Sequence, residues 1–254
     1  MSWLLAPHTF WLGTHHPDWL SRAGVPLFVS RNRLTARRTF PRAVAPWALD
    51  SGGFTEISKY GYFRTSAKLY ALEVKRFSDH IGSLAWVAPQ DWMCEPVMLQ
   101  KTGLTVEEHQ RRTITNYLEL RSLAPDIPWI PVLQGWTPHD YFHHAEDYER
   151  AGVPLATLPL VGVGSVCRRQ STITAGRIFA FLKSGYGLRL HGFGVKTTGL
   201  RMFGDALASA DSLAWSYAAR REPPLLGHSH KNCANCIDYA MMWRDGLPDK
   251  WIGG

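Results

Sequence analysis

The stretch 84-LAWVAPQD-91 runs from a short apolar, β-rich segment through a proline to an amide and an acid. Ahead of it Leu69, Leu72, Phe77 and Ile81 roughly mark one apolar face of a helix. Behind it 105-TVEEHQRRTITNYLELRSLA-124 opens on Thr105 with Glu108 three places later, the pattern of a capping box before an amphipathic run. A strand set between two helices is the repeating unit of a parallel sheet.

The unit recurs in both directions. Apolar runs at 26–30, 46–50, 129–135, 155–164, 188–194 and 210–216, with a first near Phe10 to Leu12, bring the strand candidates to about eight. Further helix-like segments fall near 138–151, 172–184, 201–209 and 233–244. Such a count in 254 residues predicts an α/β fold: a TIM-like (β/α)8 barrel over 1–225, with a small zinc-binding segment at 226–254 packed on it. An open doubly wound sheet is the alternative.

Hydrophobic residues make up 45% of the chain and charged ones 19%, and no apolar run approaches a membrane span. The opening MSWLLAPHTFWLG lacks the basic flank of a signal peptide, so the expectation is a globular cytoplasmic protein whose four cysteines are not disulfides. Lys and Arg total 28 against 21 Asp and Glu, a formal charge of +7, which points to a polyanionic partner. The arginines cluster at Arg31, Arg33, Arg37, Arg38 and Arg42, and pair at 111/112, 168/169 and 220/221. Phosphate contact and a solvated, salt-bridged surface both fit this pattern.

Polar residues repeatedly close the strand candidates: Asp50 in 48-ALDSGGF-54, Asp91, Gln134, the 162-GVG-164 turn, Gly192 and Gly194. In a barrel those ends converge on one cavity. Taken alone, Asp50 equally suits a helix N-cap or an Asx-turn. Near the C-terminus 228-HSHKNCANC-236 offers His228, His230, Cys233 and Cys236, a donor set that closes a tetrahedral, structural Zn2+ site. A redox dithiol is the other reading of the C-x2-C pair. Cys94 and Cys167 have no partners at ligand spacing and read as buried thiols.

In order and spacing, LDSGGF, APQDWMCEP, PVLQG, LVGVGS, HGFG and SADSLAW resemble the tRNA-guanine transglycosylase superfamily from about residue 47 to the cysteines near 236. The short chain looks most like its DNA-modifying branch, the deoxypurine-in-DNA transglycosylases. The resemblance implies a nucleophile, Asp211, that attacks C1′ to form a glycosyl-enzyme, and a general acid/base, Asp50. It implies that Asp91 accepts from N1–H and the 2-amino group of the base, that Gln134 and the Gly135 backbone bind it, and that the Val163 and Gly164 backbone meets O6. Ser51 and Gly52 would complete this floor, with Phe54 or Trp92 stacking on the base.

Arg168, Arg169, Lys196, Arg220 and Arg221 would hold nucleic acid, DNA in preference to tRNA. Relatives carry an acid after the glycine loop where this chain reads VGVGSVCRR. That implies an uncharged 7-cyano substituent, as in 7-cyano-7-deazaguanine (preQ0), for the incoming free base. The family's PTR after the nucleophile is replaced by WSYAARR, which implies a different polynucleotide surface. Its zinc motif, C-x-C-x2-C with a distant His, places His228, His230 and Cys233 on the triplet, and Cys236 is inferred as the fourth ligand. A tRNA enzyme of the same chemistry and a non-catalytic nucleic-acid-binding barrel subunit are the alternatives, and an oligomer is compatible with either.

Overall fold

Alternation along the strands divides the apolar residues into two sets, and this division builds the molecule. The computed structural model describes residues 8–252; part of the opening segment, residues 1–7, and residues 253–254 lie outside the described residues. Eight strands form a single sheet: β1 (Thr9–Thr14), β2 (Leu27–Ser30), β3 (Trp47–Asp50), β4 (Leu84–Val87), β5 (Val132–Leu133), β6 (Val161–Val163), β7 (Leu190–Gly192) and β8 (Ser209–Ser212). Every pairing is parallel, in the order β4-β3-β2-β1-β8-β7-β6-β5.

The sheet curls. Its ladder ends at β4 and β5, where the pairing is reduced to one isolated bridge between Val87 and Trp129. Val87 N–H donates to Pro128 O at 3.0 Å and Ile130 N–H to Val87 O at 3.1 Å. A continuous closed barrel is therefore narrowed to an eight-stranded, curled parallel sheet.

Trp11, Ala48, Trp86, Ala88, Ile130 and Leu160 pack together on the concave side, with Phe28 and Phe193 against them. Their neighbours in sequence, including Leu12, Leu27, Trp47, Leu49, Val161 and Leu190, belong to the larger core between sheet and helices. A side-chain period of two is the cause. On the concave face Trp11 and Trp86 meet edge-on at 5.6 Å, which plugs the floor beneath the C-terminal strand ends.

Helices follow the later strands: α1 (Gly53–Tyr60), α2 (Ala67–Ile81), α3 (Pro96–Thr102), α4 (Val106–Leu123), α5 (Pro138–Arg150), α6 (Ile173–Tyr186), α7 (Thr197–Phe203), α8 (Ala214–Ala219) and α9 (Ile237–Asp245). The crossovers after β1 and β2 carry only 3-10 turns, at Pro17–Ser21 and Arg31–Arg33. Pro17, Pro26, Pro41 and Pro46 break these segments, and no apolar period runs between them.

Several expectations change. The buried face of α2 is Ala67, Tyr70, Ala71, Val74, Phe77 and Ile81, whereas Leu69 and Leu72 are exposed. Tyr70 sets this rotation by donating its hydroxyl to Ala88 O at 2.8 Å. Thr105 caps α4 by accepting from Glu108 N–H, but the Glu108 carboxylate binds Arg111 and Arg112 instead of completing the box. The helix placed at 201–209 ends at Phe203, a 3-10 turn follows at Gly204–Ala206, and Ser209 already belongs to β8. The strand placed at 210–216 stops at Ser212, and α8 takes up the following Ala-Trp-Ser. The last helix starts at Ile237, after the cysteine turn.

Much of the arginine cluster is structural. Arg31 is buried in a two-pronged pair with Glu73 at 2.6 and 3.2 Å. Arg37 meets Asp18 at 2.6 Å, and Arg42 donates to Asp79 O at 3.2 Å.

Candidate active site

At the C-terminal ends of the strands lies a cavity of about 260 Å3, slightly below the usual range of small-molecule sites, about 300–1,000 Å3. Asp50, Asp91, Gln134, Gly164 and Asp211 line it together. Strand parity explains the convergence. Asp50 follows Ala48, and Asp211 follows Ser209, by two residues on the concave side, so both rise directly above the aromatic floor.

Asp211 is anchored by its own sheet. Its Oδ1 accepts from Gly194 N–H at 2.9 Å and lies 3.3 Å from His191 Nε2. Ser209 Oγ is 2.8 Å from His191 Nδ1, so the tautomer that fits both contacts is neutral with its proton on Nε2. Burial lowers the His191 pKa, while Asp211 opposes that shift. The ring packs 4.6 Å from both Trp86 and Phe193, which fixes its orientation. Among the described residues Asp211 Oδ2 has no hydrogen-bond partner, leaving that oxygen to the cavity.

Asp91 is reached through a loop rather than a strand, and α4 pins the loop. Gln90 N–H donates to Asn116 Oδ1 at 2.9 Å, Trp92 N–H to Thr113 Oγ1 at 2.8 Å, and His109 Nδ1 meets Met93 O at 2.7 Å. The carboxylate then accepts from Gln134 Nε2 at 2.5 Å. Gln134 is held through its backbone, which donates to His144 Nδ1 at 2.8 Å and accepts from Gln110 Nε2 at 2.7 Å. His144 must be neutral to accept, and burial pushes its pKa down to about 4.

The wall continues through Ser165, whose Oγ lies 2.7 Å from Gln134 Oε1 and 2.9 Å from Glu95 Oε2 and accepts from Cys94 N–H at 2.8 Å. Its single hydroxyl proton serves one of the first two acceptors at a time. Asp91, Gln134, Ser165 and Glu95 thus line one side of the cavity in close polar contact, with the Ser165 proton shared between its two neighbours.

The apolar floor shapes the acidity of this site. Burial is the first cause that raises the Asp91 pKa, to about 7, and the nearby Asp50 charge adds to it. Burial also raises Asp50, with Asp211 adding to the rise and the Gly52 backbone and Ser30 hydroxyl opposing it. Desolvation disfavours the charged carboxylate, so both groups hold a proton more tightly than free aspartates.

Asp50 does not cap α1; the N-cap is Gly52, with no side-chain cap bond. Asp50 instead lines the cavity, where the Gly52 backbone two residues on works against the rise that burial gives its pKa. Gly52 has φ +78°, and a Cβ there would fall 2.5 Å from Asn32 Nδ2. Gly164 is required by space alone, since a Cβ would fall 2.2 Å from Gln134 Nε2.

The other expected site residues are distributed around this centre. Ser51 is buried beneath the loop and accepts from Gly53 N–H at 3.3 Å. Gly135 presses on Asp140 and Tyr141 of α5. Val163 is core, with its carbonyl taken by Phe193 N–H, while Gly164 N–H donates to Leu133 O and its carbonyl accepts from Tyr141 Oη at 2.6 Å. Trp92 lies away from the cavity lining, between Phe63, His109 and Arg112, whereas Phe28, Phe54 and Phe193 line it. Cys94 is buried as expected, but Cys167 is exposed and lines the cavity, because the turn after β6 carries it outward.

Arg168 stands over Phe54 at 5.4 Å. Arg169 turns inward to Ser165 O, Trp136 O and Tyr141 Oη, a bracing role for the loop. Lys196 precedes α7, Arg220 follows α8, and Arg221 folds onto Tyr217.

Glu95, Ser165 and His191 were not anticipated. For His191 the signal was present: a polar residue inside the apolar run 188–194, beside a strand whose concave positions are Ser209 and Asp211. Glu95 and Ser165 belong to loops and carry no such period.

The C-terminal His/Cys group could hold a metal ion. A tetrahedral ion with bonds of about 2.3 Å to sulfur and about 2.0 Å to nitrogen keeps its donors roughly 3.3–3.8 Å apart. Here the four donor atoms lie within 4.8 Å of one another, His230 Nε2 is 3.0 Å from Cys233 Sγ, and His228 Nδ1 is 3.5 Å from Cys236 Sγ. Leu225 N–H donates to Cys233 Sγ at 3.3 Å, and Asp238 Oδ2 stands 3.7 Å from His228 Nε2 as an outer partner. Cys233, Tyr239, Ala240 and Trp251 join the main core, and Ser216 of α8 donates to Ala234 O at 2.8 Å.

A parallel α/β sheet that presents acids and an amide to one cavity at its C-terminal edge is the architecture in which barrel enzymes carry their sites. The chain belongs to the family described as DpdA, DeoxyPurine in DNA protein A, whose model matches residues 6–252, nearly its whole length. That membership makes it a DNA-modifying enzyme of the tRNA-guanine transglycosylase type, with DNA as its nucleic-acid partner. No curated protein matches it. Among the described residues no helix is long and apolar enough to cross a membrane.

Proposed function

We propose that this enzyme is a pentosyltransferase of the cytoplasm that exchanges guanine in DNA for a free 7-deazaguanine base. The observation that carries this reading is the convergence of Asp50, Asp91, Gln134 and Asp211 on one base-sized cavity. Asp211, oriented by Gly194 and His191, attacks C1′ through its unpartnered oxygen. The C1′–N9 bond breaks, its electron pair leaves with guanine, and the Asp50 proton goes to that base. A carboxyl whose pKa burial has raised is suited to hold this proton beforehand. The incoming base then returns a proton to Asp50 as its N9 attacks C1′ and releases Asp211. Two displacements retain the configuration.

Asp91, as a carboxylate, accepts from N1–H and the 2-amino group, and Gln134 orients it from the side. Phe28, Phe54 and Phe193 supply apolar faces for the ring. The 7-substituent is an uncharged cyano group in this reading, because Cys167 and Arg168 occupy the loop where relatives carry an acid, and the fourth acid of the cavity, Glu95, is engaged with Ser165. Zn2+ at His228, His230, Cys233 and Cys236 is structural: four ligands leave no open position, and the ion fastens 226–254 beside α8. The lone bridge between β4 and β5 closes the barrel in this reading.

The test is to incubate the protein with duplex DNA, single-stranded DNA or tRNA together with radiolabelled guanine and follow which polymer gains label. Label in DNA, competed by 7-cyano-7-deazaguanine more effectively than by its 7-aminomethyl analogue, is expected. Label in tRNA alone overturns the DNA reading, and stronger competition by the aminomethyl base overturns the cyano assignment.

A further inference from the structure

A second cavity, of about 440 Å3, opens beside the first between α1, α3 and the loop after β6. Phe54 lines both, so the two spaces adjoin the same aromatic ring. Val97 and Met98 add an apolar floor, and Lys101 and Arg168 stand at its rim. Phe54 and Val97 are 46% and 52% exposed, which is costly for such side chains unless something covers them. Among the described residues neither Lys101 nor Arg168 has an acidic partner; the one contact of the Arg168 guanidinium is with the Phe54 ring.

We propose that this second cavity is a subsite for the nucleotide next to the target guanosine on the same DNA strand. The inference rests on the reading of the first cavity as the place where a guanine leaves DNA. Withdrawing one base from a stack bares a face of its neighbour, and the cost falls if the protein re-stacks that face. An exposed ring shared with the target pocket, a guanidinium above it and an ammonium lining the same space match a base and its phosphate in shape and charge. The base lies against Phe54 and the Val97/Met98 floor, Arg168 covers it in place of its contact with the ring, and Lys101 takes the phosphate. Ser58 and Gln100 also line the space and are its side chains able to hydrogen-bond a base edge.

The test uses a dye-labelled single-stranded DNA with one central guanine and an abasic site placed immediately 5′ or 3′ of it, with affinity read by fluorescence anisotropy. On one of the two sides the abasic site weakens wild-type binding about tenfold, the effect of one lost base stack. Arg168→Ala weakens the intact strand by a similar factor and makes the protein indifferent to the abasic site. Lys101→Gln lowers the slope of log affinity against log salt by about 0.7 and leaves the abasic effect in place. The subsite is overturned if neither abasic strand binds more than twofold weaker, or if Arg168→Ala weakens intact and abasic strands equally. Arg168 and Lys101 are both exposed, so the variants fold. Failure of base exchange with the abasic effect intact removes the proposed activity and keeps the subsite, whereas exchange without an abasic effect removes the subsite alone.

Discussion

The cavity and the His/Cys group are both convergent sets of polar side chains, assembled in opposite ways. The His/Cys group draws its four donors from the nine residues 228–236, where a turn between Cys233 and Cys236 does most of the positioning. The cavity draws Asp50, Gln134 and Asp211 from three separate strand ends and Asp91 from the loop after β4, and they are held by groups distant in sequence. A local cluster depends on its ion and its turn. A dispersed one depends on sheet register and on helices such as α4 and α5 that carry Asn116, Thr113, Gln110 and His144. The two should therefore fail independently.

The most severe break is Asp211→Asn. Loss of the proposed nucleophile should lower base exchange by about 10^4-fold or more while the content of the proposed zinc, by elemental analysis, stays at the wild-type level. Exchange at the wild-type rate in this variant removes Asp211 from the reaction. Gly164→Ala comes next. Its methyl displaces Gln134 and, through it, Asp91, and a misplacement near 1 Å should cost about 10^2-fold in kcat/KM, again with the metal intact.

Cys233→Ser tests the other side of the comparison. The variant should lose the proposed zinc and melt roughly 5–10 °C lower, since the segment around the His/Cys group contributes to the core. The folded fraction should retain kcat/KM to within about tenfold. Loss of exchange as complete as in Asp211→Asn would show that the two clusters are not separable.

The smallest effect is a pH dependence. Folding raises the Asp91 pKa from 3.8 to about 7, so the folded chain binds this proton more tightly than the unfolded one. The resulting stability is full below about pH 4 and is lost as pH rises through 7, with an amplitude on the order of 2 kcal/mol given the coupling to Asp50. Relative to wild type, Asp91→Asn should therefore gain several degrees in Tm between pH 4 and pH 7.5. A pH-independent difference between the two proteins would show that Asp91 titrates as an ordinary surface carboxylate.

Much of this architecture was legible beforehand. All eight strands fall within or beside the apolar runs, because short β-rich segments bounded by turns are a local property. Asp50, Asp91, Gln134 and Gly164 were legible as polar strand ends, and Asp211 through its setting in SADSLAW. The errors arose where distant contacts overrode local pattern. The rotation of α2 follows from the Tyr70 bond to Ala88, not from its leucines. Trp92 is held by the α4 side chains Thr113 and Arg112 and stands outside the cavity that Phe28, Phe54 and Phe193 line. Of the two readings left open for the basic cluster at 31–42, engagement within the fold holds for Arg31, Arg37 and Arg42, as with Arg31 and Glu73.

By itself the sequence determined the strand–helix repeat, the acids at the strand ends and the spacing of the metal donors. Periodicity, turn chemistry and ligand spacing all act over a few residues. Only the tertiary structure decided which acids share a cavity, that Glu95 and Ser165 join them with His191 behind Asp211, and that burial raises the pKa of Asp50 and Asp91. Register and burial are properties of the whole sheet, and a carboxylate's proton affinity depends on the medium that the rest of the chain builds around it.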